Sequence, residues 1–278
     1  MTRVAAVLVT NDSERWIEQT LASVVDQGRA ADVIVVVDDA STDATREIIG
    51  RVFGDRVRVV PSATTAVDRT SRIAANFRQG LAECLDCDVA VLGDHDDVWH
   101  HNRIGHQAGV LEVRSDATML ASDGRLVDES GQPTGGTLRE AFPIPTDFKD
   151  TDPAGRMRVV LRHSVATGGA CAVRPSAFAH VQIPPGWLHD RWWSLVAAAR
   201  EELLVDEQQV IDYRVFAGQE VGLHRGHQDR STVGRLVAAV GGIGGTLGRL
   251  GDLRSLAAMA TPATKPELAW PRLLTNLL

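Results

Sequence analysis

Cysteine is scarce in this 278-residue chain. Cys84, Cys87 and Cys171 are too few for a disulfide framework and suit a reducing compartment. Cys84-Leu-Asp-Cys87 has a CxxC spacing, but no second ligand pair stands elsewhere, so the pair reads as structural. Lysine is scarcer still: Lys149 and Lys265 stand alone among arginines, a skew that carries no function. No apolar run approaches the roughly 20 residues of a membrane span. The opening MTRVAAVLVTNDSERW lacks the long apolar core and small-residue cleavage site of a signal peptide. The expected location is therefore cytoplasmic, with membrane contact at most peripheral, at the inner face. Net positive charge is missing too. At −7 the chain is a poor binder of nucleic acid by phosphate neutralisation. There is no G-x-x-x-x-G-K-[ST], no H-E-x-x-H and no G-x-S-x-G, and TNDSERW after the first apolar run is no dinucleotide fingerprint.

What is present is a regular alternation. Apolar runs at 3–9, 33–37, 56–60 and 89–92 read as buried strands. Between them fall helical spacings: Ile17, Leu21, Val24 and Val25 after an Asn11 cap and before Gly28; Ile48, Ile49, Val52 and Phe53 before Gly54; then Ile73, Phe77 and Leu81. Wholly apolar strands alternating with helices predict an α/β, doubly wound, mostly parallel sheet. Further on, 117–127 reads as strand and turn, 129–153 as a long Gly/Pro/Thr-rich loop, 154–162 as a helix and 166–173 as a strand. A turn at 184–186, a helix over 189–200 and a strand pair within 203–215 follow.

In such sheets ligands sit beyond the carboxyl ends of the strands. Two acidic clusters fall there: Asp38/Asp39, and Asp94/Asp96/Asp97 in VAVLGDHDDVW. Three carboxylates this close repel one another unless a cation joins them. Mg²⁺ or Mn²⁺ takes one or two protein carboxylates and completes its shell with phosphate oxygens and water. The simpler reading is an acidic turn with Asp96 or Asp97 capping a helix. Asp38-Asp39-Ala-Ser-Thr-Asp43 likewise suits either a nucleobase and ribose site or a turn capped by Ser41, Thr42 or Asp43. Asp190, among Trp187, Trp192 and Trp193, is either a helix cap or a general base beside sugar-stacking rings.

Taken together and in order, these motifs resemble the family 2 glycosyltransferases of the nucleotide-diphospho-sugar transferase (GT-A) fold. VAAVLVTND…WIEQTLASVVDQ, VIVVVDDASTD and NFRQGLAECLDCDVAVLGDHDDVW carry the likeness. SDGRLVDESG, TGGACAVRPSAF, His189-Asp190 and VIDYRVFAGQEVG continue it over roughly 3–222, and D-x-D-D-V-W is similar to rhamnosyltransferase-like members. The resemblance implies a divalent cation (Mn²⁺ or Mg²⁺) on Asp96 and Asp94, holding the pyrophosphate of a UDP, dTDP or GDP sugar. It implies Thr10, Asp38, Asp39 and Arg72 around the nucleotide, and Asp190 as the base of an inverting transfer to a glycan or lipid-linked acceptor. Trp99, His189, Trp193 and Arg214 are implied near the sugars. Two positions depart from the pattern. His101 and Arg103 stand where relatives often have Pro and Lys; Phe216 and Gln219 stand where many have His and Asn, so that role is vacant or passes to His224 or His227.

The expected organisation is a catalytic domain over 1–222, with a nucleotide half (1–115) and an acceptor half (116–222). A helical or irregular tail, 223–278, would pack on it, form a homodimer contact or touch a membrane surface; its glycines weaken any helix. Competing readings are a nucleotidyltransferase, which would want a basic Gly-rich loop after strand one, and a receiver domain, which is shorter and needs a late lysine. A catalytically silent sugar-nucleotide scaffold of the same fold is the remaining one.

Overall fold

All seven residues of β1 (Val4–Thr10) are buried, and the layering follows from that. In the computed structural model, which describes residues 2–216 and 243–277, β1 lies between β2 (Val33–Asp38) and β4 (Val89–Asp94), with β3 (Arg58–Pro61) outside β2. These four strands are parallel. Alternate side chains of β1 serve two cores. Val7 and Val9 join Phe77 of α3 (Arg69–Ala82), Met157 of α6 (Pro153–Arg162) and Trp192 of α8 (His189–Ala199). Ala6 and Leu8 join Ile17 and Leu21 of α1 (Ile17–Val25), Ile49 of α2 (Thr45–Val52) and Ile104 of α4 (Arg103–Val113).

Beyond β4 the sheet becomes mixed. The short β8 (Cys171–Val173) runs antiparallel between β4 and β6 (Met119–Val127). β9 (Leu203–Arg214) is parallel to β6, and β5 (Val98–Trp99) closes that edge, giving the order β3-β2-β1-β4-β8-β6-β9-β5. β9 is one continuous strand with register shifts against β6, where the sequence suggests a strand pair. Residues 129–153, expected as a loop, contain β7 (Pro133–Thr137) paired with β6, and a single turn, α5 (Leu138–Ala141), held by a Thr137/Glu140 capping box. Of the expected strand over 166–173, only the last three residues pair; 168–170 form a 3₁₀ turn. After β8 comes another single turn, α7 (Pro175–Phe178).

The glycines of the tail do not prevent a helix: α9 (Ile243–Ser255) forms, and α10 (Trp270–Leu277) follows. Tertiary packing overrides propensity here. Leu253, Leu256, Leu268 and Leu273 are buried in the core under α6 and α8. The Asp252 carboxylate accepts from Trp187 Nε1 at 2.9 Å, and Thr264 Oγ1 donates to the Ala199 carbonyl at 2.5 Å. Buried Glu267 meets Arg158 and Arg272. Among the described residues no helix is long and apolar enough to cross a membrane. Cys84 and Cys87 are free and buried, and burial pushes the Cys84 thiol up to about 12, so the pair is inert packing.

Two expectations follow. Gly80 seats α3 on β1, since a Cβ there would lie 2.4 Å from Val7 Cγ1. Gly80→Ala should therefore cost about 1–3 kcal/mol in urea unfolding. On β9, burial alone would raise the Asp212 carboxyl, but hydrogen bonds and charge from His100 and Arg125 hold it at about 2. A folded value below the unfolded 3.8 means stability that is present above that pH and lost as the pH falls towards 2. Asp212→Asn should remove about 2 kcal/mol at neutral pH and flatten the acid limb of the stability curve.

Candidate active site

The loops after β1 and β2 clasp each other. Asp12 N donates to Ser41 Oγ at 2.9 Å, Thr42 N to Asp12 Oδ1 at 2.6 Å, Glu14 N to Asp43 Oδ2 at 2.9 Å and Ala44 N to Glu14 Oε2 at 2.9 Å. The residues expected to cap α2 locally thus brace a neighbouring loop, and the N-cap position, Ala44, has no side-chain bond. Asp43 alone also meets its own helix, accepting from Thr45 N at 3.0 Å. Asn11 likewise does not cap α1, whose N-cap position is Trp16; its amide donates to the Asp39 carbonyl at 2.8 Å. The clasp sets Thr10 beside Asp39, with Asp39 N donating to the Thr10 carbonyl at 2.8 Å. Both line a cleft of about 980 Å³. Arg72 pairs with Asp39 at 2.9 Å and lines it too. Asp38 does not. It is buried, 3.7 Å from Arg46 Nε, with Oδ1 unpartnered.

The end of β4 carries the carboxylates. Asp94 and Asp96 line the cleft, whereas Asp97 turns inward and is fully buried. Its Oδ1 accepts from Arg214 N at 3.1 Å and its Oδ2 has no partner. Burial, then the charges of Asp96 and Asp190, push Asp94 up to about 7. Burial, then the charges of Asp96 and Asp94, raise Asp97 well above the usual range. Two arginines brace this crowd from behind. Arg103 is buried over the Trp99 ring, 3.9 Å from its centroid, and donates to the Leu92 carbonyl at 2.5 Å. Burial lowers its own pKa to about 9, against the pull of Asp97. Arg214 donates to the carbonyls of Asp96 and Glu129 and to Gln19 Oε1, each at 2.9 Å, and stacks on Trp16. Trp99 and Arg214 are therefore supports of the loop and lie outside the cleft lining, as does Trp193, which is wholly in the core.

The same cleft is lined by Asp190, in the first turn of α8 and past its N-cap position, Leu188. Its Oδ2 accepts from Gly168 N at 2.9 Å and its Oδ1 from Arg191 N at 2.6 Å. Burial raises its pKa, opposed by those two amides. Arg191 is anchored on the Leu161 and His163 carbonyls at 2.9 and 2.8 Å. His189 stacks on Phe77 with centroids 3.8 Å apart, and burial drives its imidazole down to about 3, so it is neutral. Tyr213 and Phe216 also line the cleft; His224 and His227 lie outside the described residues.

The sequence reading passes over the joint between the two carboxylate groups. A Cβ on Gly168 would stand 2.6 Å from His189 Nε2, and one on Gly169 would stand 2.6 Å from Asp97 Oδ2 and 3.0 Å from Asp94 Oδ2. The adjacent glycines of TGGA, directly before an apolar strand, are the available signal: glycine there marks a close backbone approach. Nothing local marks Arg249 and Leu253 of α9, which also line the cleft.

The strand-end carboxylates fit a divalent cation. Crowded, partly buried and short of positive partners, they favour one chemically, and the unpartnered Oδ2 of Asp97 accentuates the deficit. Among the described residues no three His, Cys, Asp or Glu groups could hold a metal on their own. Mg²⁺ and Mn²⁺ seldom require this, because substrate phosphate oxygens and water complete their shells.

Comparison with known proteins agrees with this architecture. Residues 5–182 match the family described as Glycosyl transferase family 2. A Bacillus subtilis protein named as a teichuronic acid biosynthesis glycosyltransferase (TuaG) is 28% identical over 134 residues, 45% of this chain and 51% of its own. The chain thus spans about half the length of the curated relatives it matches. Staphylococcus aureus TarS 1–349, solved with UDP-GlcNAc, superposes with a TM-score of 0.62 at 17% identity, covering 98% of this chain and 72% of that one. The mannosyltransferase PcManGT of Pyrobaculum calidifontis, solved with GDP-Man and Mn²⁺, gives 0.56 at 16% identity over 98% and 69%. These structures share the GT-A fold with this chain.

Because Gly169 packs on two carboxylates, Gly169→Ala should displace them without unfolding the sheet. Calorimetry with a nucleoside diphosphate and Mn²⁺ should then give binding about tenfold or more weaker than that of the unaltered chain, given how sharply such sites respond to misplacement. The urea midpoint should move little.

Proposed function

The chain belongs to glycosyl transferase family 2, and from that premise we propose that it moves a sugar from a nucleotide-diphosphate donor to a hydroxyl of a cell-surface glycan or glycolipid, inverting the anomeric centre. The observation that carries this reading is Asp190 lining the same cleft as Asp94 and Asp96, with one backbone segment, Gly168–Gly169, packed against both Asp190 and Asp94.

Asp190 takes the proton of the acceptor hydroxyl as it attacks the anomeric carbon. The Gly168 and Arg191 amides orient its carboxylate, and burial raises its basicity above that of a free carboxylate. Asp96 and Asp94 hold the divalent cation together with the donor diphosphate. When bound, that cation offsets the charge growing on the leaving group. Thr10 and the Asp39–Arg72 pair receive the base and ribose. Neutral His189 and Tyr213 line the space for the sugar. The donor is of UDP, dTDP or GDP type; the D-x-D-D-V-W spelling resembles rhamnosyltransferase-like members, and the TarS and PcManGT structures hold UDP-GlcNAc and GDP-Man. The likeness to a protein named for teichuronic acid biosynthesis supports a surface polysaccharide as the product. Donors of this kind suit a cytoplasmic site of action. A silent sugar-nucleotide scaffold is the alternative, favoured by Phe216 lining the cleft where an imidazole would serve a cation.

Calorimetry with UDP, dTDP and GDP, with and without Mn²⁺, separates the two. One nucleotide should bind tightly only with metal, and Asp96→Ala should abolish it. Asp190→Asn should keep that affinity while losing about 10²–10⁴ in turnover of the matching sugar donor. Metal-dependent binding with no turnover by the wild type, whatever acceptor extract is supplied, would leave the scaffold standing.

A further inference from the structure

The cleft is polarised. Its carboxylates, Asp39, Asp94, Asp96 and Asp190, gather at the strand ends and at the start of α8. Another stretch of the rim has no carboxylate among its described lining residues and is built from three elements that meet at Gly186–Trp187. The first turn of α3 brings Arg69 and Thr70. The loop before α8 is tied to that turn by Gly186 N donating to Ser71 Oγ at 3.2 Å. The third element is α9, which brings Arg249 and Leu253.

Arg249 differs in kind from the other cleft arginines whose contacts are accounted for. Arg72 is paired with Asp39, and Arg191 is fixed on backbone carbonyls. Arg249 is exposed, and its contact is the Trp187 ring, 5.7 Å from guanidinium to centroid. The acid one turn along its own helix, Asp252, accepts from Trp187 Nε1 and makes no ion pair with Arg249 among the described residues. A guanidinium oriented on an aromatic face and left with its fork of donors towards a cleft is suited to a planar or tetrahedral oxyanion.

We propose that the rim formed by Gly186–Trp187 and Arg249 is a subsite for an anionic group, phosphate or carboxylate, carried by the acceptor. This rests on the transferase reading above. Asp190 and Trp187 flank the start of the same helix, so an acceptor whose hydroxyl reaches Asp190 extends its neighbouring group past Trp187. An anionic acceptor entering a cleft that already holds four lining carboxylates, on a chain of net charge −7, needs local positive charge at its point of entry. The rim supplies it. The acceptor class assigned in this way is an acidic glycan or a phosphorylated one.

The test uses the full chain and three matched probes: methyl glucoside, its 6-phosphate and methyl glucuronide, titrated by ligand-observed NMR, each with the protein free and saturated with UDP and Mn²⁺. The expected result is about tenfold tighter binding of both anionic probes than of the neutral one. That preference should persist with UDP bound, which excludes the donor diphosphate position as its source. Arg249→Ala should reduce it to about threefold or less and Arg249→Lys to an intermediate value, because the lysine keeps the charge and loses the fork. No preference in the wild type, or full preference in Arg249→Ala, overturns the proposal. So does a preference that vanishes once UDP is bound, or an Arg249→Ala loss matched by an equal loss of UDP affinity, since either assigns the arginine to the donor. If the wild type binds no nucleotide at all, the transferase reading falls, and the probe preference of the free protein still decides whether the rim is an anion subsite.

Discussion

Everything at this site depends on keeping carboxylates together that repel one another. β4 is an interior strand, in register with β1 on one side and β8 on the other, and it ends by carrying Asp94 level with Val9. Asp97 then turns back into the interior, where a carboxylate is stable only if protonated or balanced. The chain answers with Arg103 beneath the loop and with Arg214 and its amide beside it. Both arginines are buried, and Arg103 offsets Asp94 only in part. The loop is thus fixed from behind, while among the described residues no cation is paired with Asp94 or Asp96 in the cleft. That imbalance is what a metal–diphosphate ligand would relieve.

The supporting arginines also explain why the aromatic residues of the sequence motif behave unlike sugar contacts. Trp99 packs its ring on Gly93 and under the Arg103 guanidinium, and Trp16 lies under Arg214. A lysine at 103 or 214 could carry the charge but could not donate to several acceptors while stacked on a ring. Removing either arginine would leave a buried acidic loop uncompensated, a loss of the kind that typically costs 3–5 kcal/mol. These residues act on the reaction only through the shape of the loop they hold.

Legibility from sequence follows the range of the forces involved. The four parallel strands and their helices are readable because each is a local apolar run or spacing, and burial on both faces of β1 leaves no ambiguity of period. The strand-end position of the acidic clusters follows from that pattern alone. What resists reading is non-local. Asn11, Ser41 and Thr42 are spelled like caps but serve a clasp between loops about 30 residues apart. The Gly/Pro-rich stretch before α6 becomes strand β7 only because the edge of β6 is there to receive it. The helix of the glycine-rich tail forms against its propensity because Leu253 and Leu256 have a core to enter. Trp193 and Trp99, read as sugar contacts, are core residues for a related reason: aromatic side chains near a site are more often its walls' foundations than its surface.

The two ends of the cleft are therefore built by different means, and that bears on how specificity can change. The carboxylate end is carried by strand ends and clasped loops in the middle of the sheet, where a shift in one residue disturbs several others. The proposed acceptor rim is carried partly by α9, which is joined to the rest by Leu250 and Leu253 in the core and by the hydrogen bond from Trp187 to Asp252. Gly248 and Gly251 face open space, so side chains can be added along this helix without displacing a neighbour. Substitution in α9 can thus alter the charge and width of the rim while Asp94, Asp96 and Asp190 keep their positions. On the proposed assignment, such a fold could change acceptors through one wall without rebuilding its carboxylate cluster, which is a physical route by which one scaffold serves many glycans.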